Sequence, residues 1–85
     1  MDMDIKHRLD EAFFQIIRLP MDQEKINDLK KIWKNCSIIW QDMSKEDVVC
    51  RRLGKKTVKY IELETALKDG LHLLESYLTF ATLIS

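Results

Sequence analysis

The chain has almost nowhere to turn. Its 85 residues include one proline, Pro20, and two glycines, Gly54 and Gly70. Proline and glycine are the residues that break helices and start turns, so Pro20 and Gly54 mark the expected breaks and long helices the expected elements. Leu, Ile, Lys and Glu fill much of the space between, and these are good to fair helix formers. Eighty-five residues also suffice for one domain and hardly more, so residues 1–85 are expected to form a single helical domain.

Apolar spacing places the helices. Ile5, Leu9, Phe13 and Ile16 recur at helical intervals, with Ala12 and Ile17 widening the stripe, and predict a helix over about 4–18 that stops at Leu19-Pro20. Asp22 is a natural N-cap for a second helix over about 22–43. There Ile26, Leu29, Trp33, Cys36, Trp40 and Met43 alternate three and four residues apart, the spacing of a coiled-coil-like seam. Ser44, followed by Lys45-Glu46-Asp47, reads as a fresh start, predicting a short connecting helix over about 45–53 closed by Gly54. A last helix is expected over about 57–83. Tyr60, Leu63, Leu67, Gly70, Leu74, Tyr77, Ala81 and Ile84 carry its main line, and Ala66, Leu73 and Phe80 a second one beside it.

The expected fold is therefore all-α: three long helices and one short one in a bundle, the second and fourth forming the main seam. Phe13, Ile17, Ile26, Leu29, Trp33, Trp40, Leu67, Leu74 and Tyr77 are the expected core. The stretch from Leu71 to Ile84 is apolar around well over half its circumference, and such a helix needs to be surrounded. A homodimer through this helix is the expectation that follows.

Chemistry is harder to find. His7 and His72 stand apart from any acid–base partner in sequence, and Cys36 and Cys50 do not pair with them at zinc-ligand spacing. Glu62 and Glu64 fall on different helix faces. Gly54-Lys55-Lys56-Thr57 lacks the first glycine and the strand of a phosphate-binding loop. No catalytic residue, cofactor site or metal site is expected, and no small-molecule substrate.

Charge is the one suggestive feature. The total is zero, but residues 1–29, 30–59 and 60–85 carry −3, +6 and −3. Arg51, Arg52, Lys55, Lys56 and Lys59 concentrate five bases in nine residues, an expected docking band for an anionic partner. Ser44 to Leu63 resembles a helix-turn-helix unit: a capped helix, the small Cys50, Leu53-Gly54, then a helix with a basic start. The resemblance implies a second helix in a DNA groove. It departs from the motif at Lys55, where an apolar residue is usual, and in the length of the second helix.

Two readings follow. The first is a non-enzymatic interaction protein, a regulator, adaptor or inhibitor, acting through helix faces and self-associating. Trp33, Trp40, Tyr77, Leu78, Phe80 and Ile84 are its expected interface residues. The second is a dimeric nucleic-acid-binding regulator using segment 44–63 and the band 51–59. The opening Met-Asp-Met-Asp lacks a basic region before an apolar run, no apolar stretch is long enough for a membrane span, and two cysteines fit a reducing compartment. A cytoplasmic location is expected.

Overall fold

A computed structural model describes residues 3–84. The described chain is helical almost throughout, as three helices: α1 (Met3–Ile16), α2 (Gln23–Leu53) and α3 (Val58–Ile84). The breaks fall where the sequence places them. Met21 and Asp22 follow Pro20 outside any helix, and the Asp22 carboxylate accepts from the Glu24 amide at 3.3 Å to cap α2. Gly54 ends α2 at φ +71°, its N–H returning to the Cys50 carbonyl. Thr57 caps α3: its hydroxyl accepts from the Tyr60 amide at 3.0 Å.

The expected short connecting helix does not form as a separate element. α2 runs unbroken through Ser44 for 31 residues. The Ser44 hydroxyl donates back to the Trp40 carbonyl at 3.1 Å, four residues earlier, instead of capping a new start. Nothing forces a break there, because Leu29, Cys36, Met43 and Cys50 are buried at intervals of seven along one continuous stripe.

α2 and α3 form an antiparallel hairpin and share the most extensive packing of any helix pair. At its tip the Thr57 amide donates to the Cys50 sulfur at 3.4 Å. Halfway down, Gly70 meets Cys36 so closely that a Cβ on Gly70 would stand 2.2 Å from the sulfur. Glycine is required there by the approach of the helices, not by the backbone angle. Near the other end the Lys25 amine lies 5.2 Å from the centre of the Tyr77 ring.

α1 covers one face of this hairpin, and only part of its length. Leu9, Ala12, Phe13 and Ile16 turn inward against Leu29, Cys36, Leu67, Leu71 and Leu74. The Phe13 ring stacks on Trp33 at 4.5 Å, and the Trp33 indole N–H donates to Asp10 at 3.0 Å. Lys6 bridges Asp10 (2.9 Å) and the Ser37 hydroxyl (3.3 Å), while Arg8 reaches Glu75 on α3. Of the expected core, Phe13, Leu29, Leu67 and Leu74 are buried, and Ile26, Trp33, Trp40 and Tyr77 are half-buried. Ile17 is a correction. It lies beyond the last residue of α1 and is 46% exposed, while Ile16 fills the inward slot completely. The molecule is a rod, 48 Å long and 20 by 17 Å across.

Candidate interaction surfaces

Two surfaces stand out. The first is the flank of α3 turned away from α1. At about 100° per residue, Leu71 and Glu75 fall on one side of the buried Leu67–Leu74 line, toward α1. Ala66, Leu73, Phe80 and Ile84 fall on the other side, toward nothing. Leu73, Phe80 and Ile84 are 52%, 60% and 70% exposed, and Ala66 is exposed as well. With half-buried Gly70 and Tyr77 they make a line spaced four, three, four, three and four residues apart, a complete coiled-coil seam without a partner helix. Ile32 and Ile39 of α2, half-buried, lie along its inner edge.

The sequence-expected interface residues divide over this geometry. Tyr77, Phe80 and Ile84 lie on the seam. Leu78 is half-buried and packs inward against the core. Trp33 is enclosed between α1 and α2 by Phe13 and Asp10. Trp40 is half-buried, and its indole N–H is buried with no hydrogen-bond partner among the described residues. Ala66 and Leu73 join the surface although neither is among the expected interface residues. Their signal was the 4-3 spacing they share with Phe80 and Ile84.

The second surface is the hairpin tip. From Val48 to Ile61 the chain carries five bases and no acid. The fold supplies acids from either side. Arg51 pairs with Asp47 at 2.8 Å, Lys56 with Glu64 at 3.4 Å, and Lys59 with Glu46 at 3.6 Å. Glu46 also accepts from the Thr57 hydroxyl at 3.0 Å. Arg52 and Lys55 are exposed and form no ion pair among the described residues. Val58 and Leu53 stand out beside them, both more than half exposed. The expected band 51–59 is thus a set of five exposed cations of which three hold an acid nearby. Its shape is the closed end of an antiparallel hairpin. The crossing of two short helices at about 90–120° that defines a helix-turn-helix is not formed.

The remaining depressions are shallow grooves along helix faces, such as that lined by Lys31, Ile32, Lys34, Asn35 and Ile38. His72, Glu75 and Ser76 share one such groove with Phe80, but Glu75 is engaged by Arg8. Among the described residues no three His, Cys, Asp or Glu side chains converge to hold a metal ion, and no helix is long and apolar enough to cross a membrane. Burial pushes the Cys36 thiol up from its ordinary range, which makes it a packing group rather than a nucleophile. No protein-family model, curated protein or solved structure matches the chain.

Proposed function

We propose that this chain is a non-enzymatic interaction module that works by presenting helix faces, first of all to another copy of itself. The observation that carries this reading is the uncovered seam on α3. A helix needs only one apolar stripe to hold its place in a three-helix bundle, and α3 has two. The inner stripe is spent on α2 and α1. The outer one, from Ala66 to Ile84, holds no charged side chain and serves nothing within the chain. Large exposed apolar surface of this kind marks association sites in folded proteins. The test is sedimentation velocity between about 1 and 100 μM. Concentration-dependent growth from monomer to dimer is expected, and a single monomeric species across that range defeats self-association.

The basic tip supports a second reading, a nucleic-acid-binding regulator or a docking point for an acidic protein. Five exposed cations at one end of a rod would attract either. Labelled random duplex DNA titrated across a salt series separates the two. Contacts limited to Arg52 and Lys55 would give a logarithmic salt slope of about −2, and use of the whole band about −4 to −5. An affinity for DNA that ignores salt, or none at low salt, removes nucleic acid and leaves the protein partner.

A further inference from the structure

We propose that α3 pairs antiparallel with α3 of a second copy about a two-fold axis level with Glu75. The inference rests on the self-association reading and adds the partner's register. A two-fold interface must be complementary to itself, because the same patch serves both sides. The seam meets that condition in one register. Centred at residue 75, Ala66 faces Ile84 of the second copy, Gly70 faces Phe80, and Leu73 faces Tyr77.

Each layer then sets a smaller residue against a larger one. The two smallest residues, Ala66 and Gly70, meet Ile84 and Phe80, and the pair of intermediate fit lies next to the axis. Alternation of small and large is how facing helices interdigitate without voids. A parallel pairing would instead set glycine on glycine and phenylalanine on phenylalanine. Gly70 is held as glycine by the Cys36 contact in any case, so the seam is thin at that level whatever binds there. Phe80 supplies the bulk that fills it, ten residues further on.

Charge agrees with this register. None of the six seam residues is charged, so the long contact brings no ion into an apolar interface. On α2, Cys36 lies beside Gly70, which puts the level of Glu75 near Lys31. The same axis brings Lys31 of each copy within one helical turn of the other copy's Asp28, twice by symmetry. Both side chains are exposed in the single chain.

The size of the contact sets its strength. From Ala66 to Ile84 the seam is about 27 Å long, and the rod is 20 Å across. The face is roughly 540 Å² per copy, near the lower bound for specific association, so a micromolar dimer is expected rather than an obligate one.

Disulfide trapping tests the register. Full-length Ala66→Cys and Ile84→Cys chains, both altered at exposed positions, are oxidised mildly, alone and mixed, with the unaltered chain as control for Cys36 and Cys50. In the proposed register residue 66 adjoins residue 84 of the other copy, while like positions lie about 27 Å apart, far beyond disulfide reach. A covalent dimer in the mixture and not in either single sample is the expected result. Covalent dimers within each single sample would mean parallel pairing and overturn the proposal. Dimers by sedimentation with no trapping in the mixture would overturn the register and leave self-association standing, whereas monomer throughout would end both. Leu73→Glu, in a chain of unchanged helix content, is expected to weaken dimerisation at least tenfold, and unchanged dimerisation counts against the seam.

Discussion

Gly70 shows how one missing atom group can position two helices. A methyl at this residue would stand 2.2 Å from the Cys36 sulfur, closer than any real contact. Alanine is the better helix former by about 1 kcal/mol, yet Gly70→Ala is expected to destabilise the chain by about 1–3 kcal/mol through overpacking. Truncating the opposing sulfur should relieve much of that strain. In a urea-denaturation cycle, Gly70→Ala with Cys36→Ala is therefore expected to cost clearly less than the sum of the two changes. Strict additivity would show that the two residues do not press on each other. The same close packing governs pH. Burial raises the Cys36 thiol, and burial with Glu64 and Asp47 raises the Tyr60 phenol against the opposing pull of Lys56. A group raised on folding stabilises the fold fully below its unfolded pKa and loses that contribution as pH rises through the folded one. Urea midpoints should thus hold level through neutral pH and fall above the ordinary thiol value of about 8.5.

At the scale of the helices, Ser44 separates what could be read from the sequence and what could not. A serine followed by Lys45-Glu46-Asp47 has the chemistry of a helix start, and local chemistry alone favours a break. The decisive signal was longer in range: Leu29, Cys36, Met43 and Cys50 repeat every seven residues, and a break at 44 would throw Cys50 out of line. Because Ser44 only bonds back to Trp40, Ser44→Ala is expected to be neutral or stabilising by a few tenths of a kcal/mol. A true N-cap would lose about 1 kcal/mol. Thermal denaturation of the variant distinguishes the two. Thr57 is the contrasting case. It caps α3 and holds Glu46, so Thr57→Ala is expected to cost about 1–2 kcal/mol. The termini at Pro20 and Gly54 were legible because each rests on one residue's backbone limits. The outer seam was half legible. Its spacing is written in the sequence, but which apolar line of α3 would face α2 is decided by Gly70 and Cys36 meeting across the hairpin. Pairing of the bases at 51–59 was not legible either, since it depends on Glu46 and Glu64 lying on either side of the turn.

At the scale of the whole molecule, the short α1 makes the rod uneven. Fourteen residues of α1 support a hairpin of 31 and 27 residues. The supported part contains Phe13, Trp33, Leu71 and Leu74, while the tip relies on Met43, Cys50 and the Glu46–Thr57–Lys59 contacts. Local opening should therefore be easiest at the tip. Amide hydrogen exchange is expected to be faster across 48–61 than across 29–37 and 67–74, and equal protection would show that α1 adds little to the hairpin. The five cations sit at the extremity of this rod, as far along it as the chain reaches. In a dimer with its axis level with Glu75, the two turns would point in opposite directions, about 57 Å apart. Successive half-sites on one side of a duplex lie about 34 Å apart, so such an assembly cannot grip neighbouring grooves as a clamp does. It would behave as a strut with a cationic foot at each end, suited to tethering two separate acidic bodies at a fixed spacing.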